Sequence, residues 1–442
     1  MTVSPFGSTI YKGLFSDDEI SALFTDHAHI KSLIKVEIAL AKVQGQQNII
    51  PAEASERIID VLNNIDISPE ELTQGTTIDG VIVPTLVKKL REAVGGDSAS
   101  YIHYGVTSQD IIDTALVLQI HTVIDIFEKR ISALNQTLAT LADNYRATIM
   151  SARTRSQIST PTTFGLKAAN WLMPFIRHQQ RLSELKDRVL TLSFGGASGT
   201  LSALNEEEAL STARALKKEL GLNLSPLPWH NQRDTIGELS SFCALLTGSI
   251  AKIANDILFL SASGINELSI TGGGTSSTMP QKNNPVLAEA IIALSKTNIN
   301  LSSSIQAAQI HNHERDASVW QVEWITLPQC LNTTGTCLNH IINLLNSIKI
   351  NDQVMIENMD NTHGTILAEA ASYLLTQQMS KTDAQKVVSD ACQKAITVKT
   401  HLFDILAHET DTYIEWQTEK HYARHVGLNN KFINHTLAAI LN

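Results

Sequence analysis

Three long stretches of this chain contain neither proline nor glycine. They span residues 106–160, 286–327 and 365–426. Each is far longer than an average helix of roughly 11–12 residues, and each lacks the turn signals expected every 8–12 residues in a chain of short strands. Apolar residues from Ile112 to Tyr145 recur about every 3.7 residues, which is the period of one helix face. A second such stripe runs from Ile236 to Leu260, and Pro285 is suited to the first turn of a third long helix.

Long apolar stripes must be buried against one another, so the sequence predicts an all-α fold with a central bundle of long helices. Residues 1–108, with frequent glycine and proline, predict a smaller N-terminal helical domain. The bundle is expected over 109–350 and a C-terminal helical domain over 351–442. The sides of such long helices also leave room for partner chains, so we expect an oligomer.

Composition excludes several classes of protein. The 442 residues include 34 Lys and Arg against 44 Asp and Glu, a formal charge of −10, which disfavours a general nucleic-acid binder. Hydrophobic residues make up 43%, too many for a disordered chain. The N-terminus lacks the pattern of a secretory signal, and weakly charged stretches such as 324–347 are interrupted by polar residues. We therefore expect a cytoplasmic, reduced protein with no membrane segment and no disulfide among its four cysteines.

The most unusual segment is the glycine-rich loop, residues 272–285, which reads GGGTSSTMPQKNNP. Its glycines permit close approach to a ligand. Ser276 or Ser277 could act as a nucleophile or proton carrier, and Lys282 could hold a carboxylate or phosphate. Asn284 precedes Pro285 at a predicted helix start, where free N–H groups favour anions. The alternative is a flexible polar connector; the order of residues excludes a P-loop.

A second segment, 101–114, reads YIHYGVTSQDIIDT. Thr107 and Ser108 directly precede the first long helix. Such hydroxyls either cap the helix or bind an anion together with its free N–H groups. His103 taken alone indicates a structural histidine.

Two further segments carry charge. In 151–165, SARTRSQISTPTTFG, Arg153 and Arg155 could recognise carboxylates with two hydrogen bonds each, or could be solvated surface charges. In 311–324, HNHERDASVWQVEW, the first two histidines are two residues apart and face different sides of a helix, which disfavours a metal site.

These four segments, in this order, resemble the fumarase/aspartase superfamily of homotetrameric lyases. Its mobile loop reads G-S-S-x-M-P-x-K-x-N-P, and residues 274–285 match it with one extra threonine. The segment HYGVTSQDIIDTA resembles the first conserved block of the superfamily, and ARTRSQISTPTTFG resembles the second. HERD at 313–316 is similar to the adenylosuccinate lyase-like branch.

Within that branch the chain resembles the bacterial 3-carboxy-cis,cis-muconate cycloisomerase family. The similarity includes FGGASGTLSAL at 194–204, PWHNQRD at 228–234 and HERDASVWQVEWITLPQ at 313–329, and it runs along nearly the whole chain. The resemblance implies lactonisation of a tricarboxylate in protocatechuate catabolism, through an aci-carboxylate intermediate. It also implies a homotetramer with sites shared between subunits, and no metal, nucleotide or organic cofactor.

One position departs from the superfamily pattern. Many of its lyases carry a histidine, used as a general acid, where this chain has Arg155. The resemblance implies catalytic roles for Ser276, as proton carrier, and Lys282. It implies substrate binding by Thr107, Ser108, Arg153, Thr154, Arg155, Gln157, Ser277 and Asn284, with Arg315 and His103 as further candidates.

Two other functions stay open. Adenylosuccinate lyase, or another β-elimination lyase of the superfamily, would need purine and phosphate recognition and normally the absent histidine. A non-enzymatic structural descendant would keep the helices and lose the loop chemistry, whereas Ser276 and Lys282 are both present.

Overall fold

The computed structural model of the protein describes residues 4–275 and 278–440. Its elements in these ranges are mainly α-helices. The N-terminal helices are α1 Lys12–Phe15, α2 Asp18–Leu23, α3 Asp26–Gln46, α4 Ala52–Asn64, α5 Glu70–Asp79 and α6 Val83–Val94. The middle of the chain forms α7 Ser108–Asn144, α8 Phe164–Val189, α9 Glu206–Leu220, α10 Asp234–Ser261, α11 Val286–Ala307 and α12 Ala317–Ser347. The last helices are α13 Asp352–Asp360, α14 Ala368–Leu375, α15 Lys381–Val398, α16 Leu402–Glu409, α17 Trp416–Glu419 and α18 Asn429–Ala438.

Short antiparallel strand pairs connect some of these helices. The strands are β1 Ile149–Thr154, β2 Gln157–Thr163, β3 Leu268–Ile270, β4 Gly274–Thr275, β5 Asn283–Asn284 and β6 Ile348–Ile350. The pairs are β1 with β2, β3 with β6 and β4 with β5.

The two long helices predicted from apolar periodicity and the third predicted from Pro285 are confirmed. Helix α7 has 37 residues, and most of its predicted stripe, including Ile120 and Phe127, is fully buried. Helix α11 begins at Val286, one residue after the proline that was expected near its start.

In the described ranges, helix α10 alone is long and apolar enough to cross a membrane. We expected no membrane segment because weakly charged stretches such as 324–347 are interrupted by polar residues, and we predicted 236–260 only as a long helix. All eight residues of its predicted stripe, from Ile236 to Leu260, are buried. This apolar face of α10 therefore packs in the protein interior.

One expectation was wrong in detail. The lack of turn signals argued against strands anywhere in 106–160, yet β1 and β2 form a hairpin there. Its two turn residues, Arg155 and Ser156, have positive φ angles of 50° and 66°. This is the left-handed conformation that a two-residue type I′ turn requires. Asn-Gly or Asp-Gly would have signalled such a turn, whereas Arg-Ser does not.

The described chain divides into two compact units. Unit 1 comprises residues 1–130, 178–248 and 293–338, and unit 2 comprises residues 131–177, 249–292 and 339–442. In unit 1, a hydrophobic core includes Leu33, Leu86 and Trp320, whereas unit 2 has a separate core that includes Phe403. The five longest helices each contribute residues to both units. The predicted domain boundaries at 108 and 350 stay predictions.

A charged cluster lies in the interior of unit 1. Arg233 is fully buried and donates to the carboxylates of Asp113, on α7, and Glu323, on α12. Trp320 also donates to Asp113 through Nε1 at 3.1 Å, and the guanidinium lies 4.7 Å from the ring centre of Trp229. Burial lowers the pKa of Arg233, but the two carboxylates outweigh burial and raise that pKa above its ordinary value. Burial raises the pKa of Glu323 although Arg233 opposes the shift.

Arg233→Met should lower the free energy of unfolding by about 3–5 kcal/mol, because it leaves two buried carboxylates without their cation. Urea denaturation monitored by circular dichroism measures this loss. The matched control is Arg188→Met, because Arg188 makes a similar two-bond contact with Glu238 at the exposed surface. Its expected loss is below about 1 kcal/mol. Equal losses in the two variants would contradict a central role for the buried cluster.

Candidate functional site

The start of α7 in unit 1 holds two of the predicted anion-binding residues. Thr107 caps the helix with its backbone, since its carbonyl accepts from the N–H of Asp110 at 3.0 Å. Its hydroxyl accepts from Arg315 Nη1 at 2.8 Å. Among the described residues, no acceptor contacts the N–H groups of Ser108 and Gln109. The helix start therefore offers unsatisfied donors, the arrangement that binds anions.

The buried Asp110 carboxylate holds this helix start in place through hydrogen bonds. It accepts from the N–H of Thr107 at 2.9 Å, from Gly195 N at 2.7 Å, from Gly196 N at 2.9 Å and from His230 Nε2 at 2.7 Å. Asp110 is only 1% exposed. With four donors on two oxygens it acts as an acceptor, and its burial keeps it from direct contact with a ligand.

His103 lies in the same unit. Its Nδ1 is 2.7 Å from Glu37 Oε1, and the Glu37 side chain is 2% exposed against 16% for His103. The carboxylate thus orients the ring. The structural reading of His103 and its predicted role in substrate binding are both compatible with this contact.

Arg315 and the next residue, Asp316, make different kinds of contact. Arg315 is exposed and also donates to the carbonyl of Ala197 at 3.2 Å. Asp316 caps α12, accepting from the hydroxyl and the N–H of Ser318. Hydrogen bonds from the hydroxyl of Ser318 and from Asn312 hold the pKa of Asp316 well below its usual range. The HERD segment therefore contributes one cation near Thr107 and one structural carboxylate.

The hairpin of β1 and β2, in unit 2, carries the predicted arginines. Arg155 is exposed at the turn and makes no ion pair or hydrogen bond with the described residues. Non-glycine residues in the left-handed region are strained, and such strain is often concentrated at functional sites. Thr154 and Gln157, which flank the turn, are paired with each other and exposed.

Arg153 differs from Arg155. Both of its terminal nitrogens contact the fully buried carboxylate of Glu267, and its guanidinium lies 5.1 Å from the ring centre of Phe259. Asn358 donates to the same carboxylate at 3.1 Å. The terminal nitrogens of the Arg153 guanidinium are thus already bonded to a protein carboxylate. The predicted contact of Arg153 with substrate stays a prediction.

The glycine-rich loop, also in unit 2, is closed at its base by strands β4 and β5. Gly274 pairs with Asn284 and Thr275 with Asn283. A Cβ atom on Gly273 would lie 2.7 Å from the carbonyl oxygen of Asn284, so only glycine fits there. Ser276 and Ser277 lie outside the described residues.

Lys282 and Asn284 line a cavity of about 510 Å³ in unit 2. Its wall is mainly polar and includes Ser261, Ser263, Asn266 and Asn351. Lys282 is exposed, with its backbone N–H bonded to the carbonyl of Met279 at 3.0 Å. The side chain of Lys282 therefore lies beside open space, as its predicted role in binding an anion requires.

The structure thus brings Thr107, Ser108 and Arg315 together in unit 1, and Lys282 and Asn284 together in unit 2. In the ranges 4–275 and 278–440, no group of three or more His, Cys, Asp or Glu residues is arranged to hold a metal ion.

Sequence reasoning missed three residues that organise these groups: Asp110, His230 and Glu267. Asp110 and His230 stand inside segments already quoted, TSQDIID and PWHNQRD, so proximity to a motif was their one available signal. Glu267 had none, because its pairing with Arg153 joins positions 114 residues apart.

The comparisons with known proteins agree with this mainly helical architecture. A family model described as "Lyase" matches residues 14–299, more than half of the chain, and the chain belongs to that family. The predicted fumarase/aspartase-type fold is thereby confirmed.

More particular likenesses extend over nearly the whole chain. It is 35% identical to 3-carboxy-cis,cis-muconate cycloisomerase of Bradyrhizobium diazoefficiens, covering 93% of each sequence. It is 34% identical to trans-aconitate decarboxylase 1 of Mycosarcoma maydis, covering 89% of this chain and 80% of that one. The crystal structure of 3-carboxy-cis,cis-muconate lactonizing enzyme from Pseudomonas putida superposes with a TM-score of 0.91 at 30% identity, covering 98% of this chain and 99% of that chain.

Gly273→Ala should open the base of the glycine-rich loop, because the new methyl group would be too close to the Asn284 carbonyl. We expect faster amide hydrogen exchange in peptides covering 274 and 284. Gly248→Ala is the matched control, because nothing lies within 4 Å of a Cβ at this position inside α10. It should leave exchange at the loop base unchanged. Identical exchange in both variants would show that the contact at Gly273 is unimportant.

Proposed function

We propose that this protein is an isomerase that lactonises 3-carboxy-cis,cis-muconate to carboxymuconolactone in protocatechuate catabolism, the β-ketoadipate pathway. The observation that carries the proposal is similarity along more than nine tenths of the chain to an enzyme of that name. Arg155, in place of the general-acid histidine common in the superfamily, adds a chemical reason for preferring this reaction.

The chemical reason concerns the leaving group. Elimination of an amine or hydroxide benefits from proton donation to a poor leaving group. In lactone opening the leaving group is a carboxylate, whose acid has a pKa of about 4, and it departs unprotonated. In the forward direction a substrate carboxylate is already a competent nucleophile. An acid at position 155 is therefore dispensable, while a permanent cation that orients a carboxylate is useful.

The reaction places negative charge on a carboxylate conjugated to the attacked double bond. The resulting aci-carboxylate needs donors that are already in place. We assign this role to Lys282 and Asn284, together with N–H groups of the glycine-rich loop. Lys282 and Asn284 both line the 510 Å³ cavity of unit 2, which supports the assignment.

The other carboxylates of the trianion need separate binding groups. The free N–H groups at the start of α7, with the side chains of Thr107 and Ser108, form one set. Arg315 adds positive charge there through its contact with Thr107. Thr154, Arg155 and Gln157 are exposed on the hairpin and form the second set.

The carbon next to the aci-carboxylate must gain a proton. By the superfamily motif, Ser276 is the donor in lactonisation and the base in the reverse reaction. A serine is a weak acid and a weak base in water, so loop closure that excludes water should matter for its reactivity.

We also propose that the working form is a cytoplasmic homotetramer whose sites combine residues of several subunits. Large apolar side chains on the long helices of unit 1 support association: Leu245 on α10 is 56% exposed, Ile299 on α11 is 52% and Ile325 on α12 is 64%. Exposed apolar residues on neighbouring long helices are typical of an interface. The substrate is the one small-molecule partner required; nucleic acid, membrane and organic cofactor have no place in the reaction.

The purified protein should abolish the ultraviolet diene band of 3-carboxy-cis,cis-muconate and should leave adenylosuccinate and trans-aconitate intact. Ser276→Ala should lower kcat by several orders of magnitude and change KM by less than about tenfold, because proton transfer belongs to the transition state. Ser277→Ala is the comparison in the same loop: as a predicted substrate-binding residue, Ser277 should affect KM more than kcat. Near-normal turnover in Ser276→Ala would remove Ser276 from the mechanism and shift the proton-carrier role to Ser277. Cleavage of adenylosuccinate, or loss of trans-aconitate without lactone formation, would instead support the rival activities.

Arg155→His should raise KM for carboxymuconate and weaken transition-state binding by about 1–3 kcal/mol, the scale of a charged hydrogen bond. It should not create adenylosuccinate cleavage. Arg155→Lys should keep part of the affinity, because the positive charge remains while the planar guanidinium, which can donate two hydrogen bonds to one carboxylate, is lost. We would compare kcat/KM for the three proteins between pH 6 and 8. A histidine variant with higher activity below its imidazole pKa would contradict the leaving-group argument.

A further inference from the structure

The segment Trp229–Arg233 is clamped to the first turns of α7 by contacts that the reaction itself does not use. His230 Nε2 donates to Asp110, and the His230 carbonyl accepts from Gln109 Nε2 at 2.9 Å. One turn further along α7, Arg233 donates to Asp113. Asp110 and Asp113 are three residues apart and therefore lie on the same helix face. Two side chains of one short segment thus hold two successive turns of α7.

The same segment also reaches the connection that carries Arg315. Asn231 Nδ2 donates to the carbonyl of His313 at 2.8 Å, two residues before Arg315. Arg315 in turn contacts Thr107 and the carbonyl of Ala197. The Trp229–Arg233 segment is therefore bonded on one side to the helix start and on the other to the loop of its cation.

The position of His230 excludes direct contact with a ligand. It is 3% exposed, and no described atom bonds to its Nδ1. A Cβ on Gly195 would lie 2.9 Å from its Cε1, so the ring is closely packed. With Nε2 committed to Asp110, the imidazole supplies one donor and acts through its partner.

We propose that His230 is a positioning residue for the carboxylate-binding end of α7, acting through Asp110. Its hydrogen bond holds Asp110, and Asp110 holds Thr107, Gly195 and Gly196 by their backbone N–H groups. Loss of the imidazole removes one of four donors from a buried carboxylate, which will then shift toward water or a new donor. Such a shift moves Thr107 and the free N–H groups beside it. This proposal rests on the proposed function for its kinetic consequences alone.

The kinetic test separates positioning from chemistry. His230→Ala should raise KM for 3-carboxy-cis,cis-muconate about tenfold or more, while kcat changes by less than about threefold, because the weakened contacts bind substrate and transition state alike. His230→Gln should stay within about threefold of wild type in both, because its Nε2 can occupy the place of the imidazole donor. If the alanine variant does not yield folded protein, His230→Asn serves, since its amide is too short to reach Asp110.

The matched control is His178→Ala. His178 is also 3% exposed in unit 1 and packs edge-on against Phe242. It should lower thermal stability without raising KM.

A second measurement is independent of the reaction. Hydrogen exchange followed by mass spectrometry on the full-length protein should show faster exchange in His230→Ala at the amides of Thr107, Gly195 and Gly196, and no such change in His178→Ala. Unchanged exchange at these three amides would overturn the proposal, and so would an unchanged KM in a variant that turns over substrate. Should wild type fail to lactonise carboxymuconate, the proposed function falls, while the exchange comparison still decides the role of His230.

Discussion

The fully buried guanidinium of Arg233 is the interaction on which the arrangement of unit 1 depends. A cation without exposure must keep its counter-charges in contact, because the interior offers no water to replace them. Its two partners are Asp113 on α7 and Glu323 on α12. The positions of two long helices are thereby fixed relative to one short segment of chain. Hydrophobic stripes alone would allow these helices to slide; a forked cation with two carboxylates does not.

The same short segment contacts the start of α7 through a second pair, His230 and Asp110. The N–H of Asp110 bonds to the Thr107 carbonyl and not to the Thr107 hydroxyl, which accepts from Arg315 instead. The helix start is therefore rigid yet still has unsatisfied donors. The Asp110 carboxylate holds the helix start in place, while the N–H groups of Ser108 and Gln109 have no acceptor among the described residues.

In the hairpin of unit 2, likewise, one charged residue is held by a buried partner and another is exposed. Arg153 is held by Glu267 and anchors the strand, whereas Arg155, two residues on, stands exposed in a left-handed turn. Side chains of alternate strand residues share a face, but the turn breaks that rule and separates the two arginines. By residue type alone the two arginines were equal candidates, and only the superfamily pattern singled out Arg155. The hairpin was not predicted, since neither Arg155 nor Ser156 is a typical residue for such a turn. The strained conformation is imposed by the strands on either side.

The sequence by itself determined the helical class, the buried stripes of α7 and α10 and the start of α11, and it predicted the segments proposed to carry the site. These follow from local rules, namely periodicity, the positions of proline and glycine, and motif spacing. The four cysteines are free in the structure. The tertiary structure alone decided which charged residues face inward. Arg153 with Glu267, Asp110 with His230, and Arg233 with Asp113 and Glu323 join positions about 90 to 120 residues apart. Whether a charge is buried depends on such a partner, and no local pattern records where that partner will lie.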